Sequence, residues 1–224
     1  MTFFQASTWV IPVIIAITFH EAAHGFVALL CGDETAWRLG RVSFNPLKHI
    51  DPFGTLLLPG LLLLLRSSFL FGYAKPVPVN VRALRHPRRD MVLVAAAGPV
   101  MNLALAISAA LALHLVVYVP ETSRQWTELN LDNAILINVL LAVFNMLPIP
   151  PLDGGRVAVG LLPKFLGLPL AALEPFGFLI LICLLFFVPM LGDQMGVDLG
   201  IVSRVVDAVT GRLIDGIAAL TGNS

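Results

Sequence analysis

Charge is scarce in this sequence: only 12% of its 224 residues are Asp, Glu, Lys or Arg, while 58% are hydrophobic. Soluble domains carry about 25% charged residues, so the composition excludes an ordinary soluble protein and points to a polytopic membrane protein. The 14 basic and 14 acidic residues cancel, and with no overall basic excess nothing suggests a nucleic-acid partner. Cysteine is nearly absent. Cys31 and Cys183 sit in or beside apolar runs, and two isolated thiols make neither a disulfide framework nor a cysteine-based zinc site. The start "MTFFQAST" lacks the basic region of a signal peptide, and the apolar run after it leads into "HEAAH" instead of a small-residue cleavage site. The first helix is therefore expected to be retained.

Long apolar runs are what the sequence has in abundance. Four of them, 7–31, 91–118, 131–147 and 172–191, are long enough or nearly so to cross a bilayer, which takes about 20 helical residues. A fifth, 53–65, is short and broken by Pro59 and Gly60, which suits a re-entrant segment better than a span. The stretch 197–220 places Val202, Val205, Val206, Val209, Leu213 and Leu220 on one helical face and Asp198, Arg204, Asp207, Arg212 and Asp215 on the other, the pattern of an amphipathic helix lying in the membrane interface. The expected fold is thus all-α: about four transmembrane helices, a re-entrant segment and a carboxy-terminal amphipathic helix. With no internal repeat and no low-complexity linker, residues 1–224 read as a single membrane domain with its core at about 7–156 and further helices at 172–220.

Nine of the 14 basic residues, Arg38, Arg41, Lys48, Arg66, Lys75, Arg82, Arg85, Arg88 and Arg89, fall between the first and second full spans. The positive-inside tendency places that connection on the cytoplasmic side. The opposite loop, "PETSRQWTELNLDN", is net acidic and belongs outside.

Against this apolar background, "TFHEAAHGF" puts three ionisable groups into the first span, where such groups are costly and mark function. His20, Glu21 and His24 form H-E-x-x-H; on a helix the two histidines project from one face a turn apart. Two imidazoles so placed can clamp Zn²⁺, and a catalytic zinc takes three protein ligands and keeps one position open. Glu21 then stands beside the metal as a candidate general base. Among the few other carboxylates inside or abutting an apolar span, Asp153 is the candidate third ligand: it ends "FNMLPIPPLDGGR", where prolines break the third span, a break tolerated at membrane depth only where protein or a polar cavity satisfies the freed backbone. His49, His86 and His114 read as interfacial or packing residues.

"HEAAH" followed by "NMLPIPPLDGG" resembles the site-2 protease family of intramembrane zinc metalloproteases. The supporting stretches "RVSFNPLKHIDPFGTLLLP", "FGYAKPVPVN" and "RRDMVLVAAAGPVMN" resemble a compact branch of it, without PDZ or CBS domains, and together they cover most of residues 18–156. The resemblance implies one zinc per chain held by His20, His24 and Asp153, with Glu21 as catalytic base. It also implies that Asn102 and Asn145 help position substrate or water, an amide being able to donate to a carbonyl where charge develops. The implied function is hydrolysis of peptide bonds in or near transmembrane segments of membrane-protein substrates, as in regulated intramembrane proteolysis. From the apolar spans and the placement of Lys and Arg, the expected location is multi-pass in the plasma or inner membrane, with the site toward the cytoplasm and lipid as its surroundings. "FGYAKPVPVN", with prolines alternating with β-branched residues, is expected to be an extended edge that holds an unwound substrate by strand addition. A zinc transporter or a non-proteolytic metal-binding membrane protein is the competing class, but it leaves Glu21 without a task, and the repeated halves common in transporters are not visible in the sequence.

Overall fold

The computed structural model of the protein describes residues 3–49 and 75–223; the expected re-entrant segment 53–65 lies outside the described residues. The architecture is all-helical, with no strand among the described residues. Three long helices carry the fold: α1 (Phe3–Leu30), α2 (Pro87–Leu113) and α3 (Glu121–Asn145). Each is apolar and long enough to span a membrane, as is the rod Lys164–Gly192. The rod is broken into α5 (Lys164–Ala172), α6 (Gly177–Ile182), a π-helical turn at Cys183–Phe187 and the start of α7 (Val188–Met195). Between α3 and the rod lies the short α4 (Asp153–Leu161), and α8 (Ile201–Thr221) follows the rod. The protein is thus a multi-pass membrane protein.

Of the four membrane-length helices the rod is the least buried and α1 the most. Its packing face is made of small residues. Ala16, Ala22 and Ala28 are fully buried, as are Ala106 of α2 and, nearly, Ala110; small side chains let helix backbones approach closely where lipid gives no hydrophobic drive between helices. Gly32, at φ +104°, ends α1, a conformation that costs glycine little, and Asp33 N–H then closes onto Ala28 O at 2.9 Å.

The cross-links give each helix its direction. His24 meets Val94, while Asn102 reaches back to Ala16, so α1 and α2 are antiparallel. Trp126 Nε1 donates to Ser7 Oγ and Asn133 Nδ2 to Thr8 Oγ1, whereas Asn138, further along α3, lies by the network that Asn102 makes with Ala16 and His20; α1 and α3 therefore run parallel. The connection between α1 and α2 begins and ends at one place. Arg85 N–H donates to Cys31 O at 3.0 Å and Lys75 N–H to His49 O at 2.9 Å.

One sequence expectation needs correction and another needs detail. The polar stretch "PETSRQWTELNLDN" is not a loop: α3 begins at Glu121, directly after Pro120, because Trp126 and Asn133 find polar partners on α1 that hold those turns in the bundle. The apolar stripe expected of α8 is divided: Val205, Val209 and Leu220 are exposed while Val206 is buried. Beside the stripe, Ile217 joins Ala106, Ala110 and Val139 in one buried cluster, with Leu213 and Ile214 packed against it, and His114 Nε2 meets Thr221 O at 2.7 Å, so one edge of α8 packs on the bundle.

Candidate metal centre

His20 and His24 lie in the second half of α1, and Asp153 is the first residue of α4. All three are buried. His20 Nε2 is 3.1 Å from His24 Nε2, and Asp153 Oδ2 is 3.1 Å from the first and 3.3 Å from the second. Three potential ligand atoms converging this tightly need an explanation, and the opposite edges of the imidazoles provide it. His24 Nδ1 faces Val94 O at 2.7 Å and His20 Nδ1 faces Asn102 Oδ1 at 2.5 Å. Both partners are acceptors only, which assigns the proton of each neutral ring to Nδ1 and leaves each Nε2 with a lone pair.

Two nitrogen lone pairs and a carboxylate oxygen thus converge without a proton between them. Asp153 Oδ2 is buried and has no hydrogen-bond donor, an arrangement that costs free energy unless a cation sits there. Tetrahedral zinc with bonds of about 2.0–2.1 Å has ligand atoms about 3.3–3.4 Å apart, close to the separations found. The residues present fit zinc, and among the described residues they are the group of His, Cys, Asp or Glu arranged to hold a metal.

The glycines show how the backbone makes room. A Cβ on Gly98 would lie 2.5 Å from His20 Cε1 and 2.6 Å from both Nε2 atoms, so α2 passes directly beneath the imidazoles. Gly154 and Gly155 pack against the "NMLPIPP" turn: a Cβ on the first would strike the Met146 carbonyl and one on the second would come within 2.5 Å of Pro150 N. That contact seats the start of α4, and with it Asp153, against the end of α3. At the far end of α4, Arg88 Nε donates to Gly160 O at 2.8 Å and its Nη2 to Leu162 O, capping the last carbonyls.

Glu21 stands apart from the converging atoms. Its Oε2 accepts the backbone N–H of Val77 at 2.8 Å, which brings the segment 75–80 against α1 beside the metal site. The segment is fixed further along by Asp33, fully buried, whose Oδ2 accepts Asn80 N–H at 2.6 Å while Oδ1 accepts Thr35 N–H at 2.9 Å. These contacts change the expectation of strand addition. The N–H groups of Lys75, Val77 and Asn80 are already engaged and Pro76 and Pro78 have none, so Val79 carries the one N–H of this segment without a partner among the described residues.

The two asparagines part company. Asn102 is fully buried, and its Nδ2 donates both to Asn138 Oδ1 at 2.7 Å and to Ala16 O at 3.2 Å. Both amide hydrogens are spent and Oδ1 holds His20, so Asn102 has nothing left to donate to a substrate and the expected oxyanion role does not fit. Asn145, half-buried at the end of α3, donates to Leu141 O at 3.0 Å and keeps a second amide hydrogen free of any partner among the described residues. Sequence reasoning missed Asp33 and Asn138. A polar residue inside the apolar run "ILINVLLAVFN" was the available signal for Asn138; "CGDET" offered none for Asp33, whose partners are distant backbone amides. His49, His86 and His114 take no part in the cluster.

The Peptidase family M50 profile matches residues 8–134 and 116–188. The chain is 40% identical over 191 residues to YwhC of Bacillus subtilis (strain 168), covering 83% of this chain and 82% of that protein. It is 32% identical over 173 residues to Rip2 of Mycolicibacterium smegmatis, covering 77% of this chain and 64% of that protein, and 33% identical over 141 residues to Rip2 of Mycobacterium tuberculosis (strain H37Rv), covering 63% and 52%. No solved structure matches. The family match over most of this membrane bundle makes it a membrane metallopeptidase, and the chain belongs to Peptidase family M50.

Proposed function

We propose that this protein is an intramembrane zinc metalloendopeptidase that hydrolyses peptide bonds in or near the transmembrane segments of membrane-protein substrates. The observation that carries the reading is the convergence of His20 Nε2, His24 Nε2 and Asp153 Oδ2 within 3.1–3.3 Å of one another, one residue from Glu21, inside helices of membrane length. The relatives YwhC and Rip2 carry the words zinc metalloprotease in their names, which supports the same reading. Zinc, when bound, supplies Lewis acidity that acidifies water and polarises a carbonyl.

The chain's own residues supply the rest. Glu21 takes a proton from water and delivers it to the leaving amine. Its hydrogen bond from Val77 holds the carboxylate at the boundary between the metal site and segment 75–80. Asn145 keeps an amide hydrogen free for a carbonyl oxygen at the end of α3. Val79 N–H and the carbonyls of Pro76, Val77 and Pro78, which accept no hydrogen bond among the described residues, pair with the backbone of an unwound substrate. The apolar part of that substrate lies in a groove of about 380 Å³ between α1 and α2, lined by Ala23, Phe26, Val27, Ala97, Val100 and Met101. Its lining residues Ala23 and Ala97 are the sequence neighbours of His24 and Gly98.

The excess of Lys and Arg between α1 and α2 supports a cytoplasmic location for the metal end of the bundle, in a plasma or inner membrane. The test is to incubate purified protein with a panel of membrane-spanning peptides, with and without a zinc chelator. Cleavage abolished by chelator and restored by zinc is the expected result; cleavage indifferent to chelator, or zinc bound with no peptide cleaved, contradicts it.

A further inference from the structure

The two histidines at the metal site are held differently. His24 Nδ1 donates to a backbone carbonyl, Val94 O, which no side-chain substitution removes. His20 Nδ1 donates to a side chain, Asn102 Oδ1. An amide can present either its oxygen or its nitrogen, and turned round, Asn102 would offer N–H to Nδ1, move the ring proton to Nε2 and deprive a metal of its ligand. Something must fix the amide's orientation.

Two contacts do so. One is the carbonyl of Ala16, 3.2 Å from Asn102 Nδ2; the other, shorter at 2.7 Å, is Asn138 Oδ1. The orientation of Asn138 is fixed in turn: its Nδ2 donates to Ala134 O, one turn earlier on α3, at 2.8 Å. A backbone carbonyl only accepts, so Nδ2 of Asn138 faces Ala134 and Oδ1 faces Asn102. Nδ2 of Asn102 therefore faces Asn138, and its Oδ1 faces His20. Asn138 is 2% exposed and Asn102 wholly buried, so no water competes in this chain of three side chains drawn from α3, α2 and α1.

We propose that Asn138 is a positioning residue for zinc: acting through Asn102, it fixes the tautomer and rotation of His20. Outer partners that orient a ligating histidine are typically worth about 10- to 100-fold in metal affinity or activity. This inference rests on the zinc reading of the site but makes a separate demand on it. Asn138 touches neither metal nor substrate, and a role confined to holding helices together would leave zinc affinity alone in folded protein.

The experiment measures zinc affinity of the full-length protein in detergent micelles by competition with a chromogenic chelator, with the thermal midpoint recorded for each variant. Asn138→Ala and Asn102→Ala are each expected to weaken zinc binding by about 10- to 100-fold. Asn138→Ala introduced into Asn102→Ala is expected to add nothing, because the relay is already cut. Asn138→Ser, whose hydroxyl both donates to Ala134 O and accepts from Asn102, is expected to recover part of the affinity and guards against misfolding of the alanine variant. Zinc affinity within twofold of wild type in folded Asn138→Ala, or losses that multiply in the double variant, would overturn the relay while leaving the zinc site standing. A wild-type protein that takes up no zinc overturns both.

Discussion

Glu21 Oε2 accepts the backbone N–H of Val77 at 2.8 Å, which ties the second residue of H-E-x-x-H to a segment that lies 56 positions further along the chain. The proposed general base and the proposed substrate-pairing backbone are therefore joined by a hydrogen bond, and motion of either displaces the other. Two different perturbations, at Glu21 and at Asp33, should separate chemistry from placement.

Glu21→Gln removes the base but keeps side-chain size and an oxygen acceptor for Val77. Loss of a general base costs about 10²- to 10⁴-fold in rate. Cleavage of a membrane-spanning peptide should fall by that amount while metal analysis still finds zinc, and a wild-type rate would exclude the assignment.

Asp33→Ala releases Asn80 N–H from a fully buried carboxylate, leaving segment 75–80 pinned at Val77 and at Lys75. We expect kcat/KM to fall about tenfold, as misplacement by about 1 Å can cost up to 10²-fold, with zinc content unchanged. Asp33→Asn keeps an acceptor oxygen and should recover part of the loss. Loss of zinc in folded Asp33→Ala would show that the segment supports the metal instead.

Gly98→Ala would set a methyl group within 2.5–2.6 Å of the His20 and His24 rings. Backbone or ring must shift, at about 1–3 kcal/mol for an overpacked site. Zinc affinity and thermal midpoint should both fall; a variant with normal zinc would mean that α2 lies further from the imidazoles.

Val100→Trp places a large side chain in the groove between α1 and α2, on an exposed face of α2 where lipid tolerates it. KM for a transmembrane peptide should rise severalfold with zinc content and thermal midpoint unchanged. An unaltered KM would place the substrate elsewhere.

Much of this was legible because the chemistry lies in local spacing. The separation of His20 and His24 by one helical turn fixes their common face without any tertiary information, and the prolines before Asp153 mark the end of a span. What stayed hidden depends on contacts between distant segments. The first turns of α3 look like a polar loop until Trp126 and Asn133 meet Ser7 and Thr8. Likewise, an apolar stripe suits lipid and protein equally, and only contacts show that Ile217, beside the stripe, packs in the bundle while Val205, Val209 and Leu220 stay exposed. The hydrogens of Asn102 could be assigned only when Asn138 and Ala16 were found beside them.

Metal content tests the central claim most directly: purified wild-type protein and the variants His20→Ala, His24→Ala and Asp153→Ala, analysed for zinc after dialysis against a weak chelator. Each substitution removes one of three protein ligands, so about one zinc per chain is expected in the wild type and well under one in every variant. Stoichiometric zinc in folded Asp153→Ala would contradict the three-residue site and send the third ligand elsewhere.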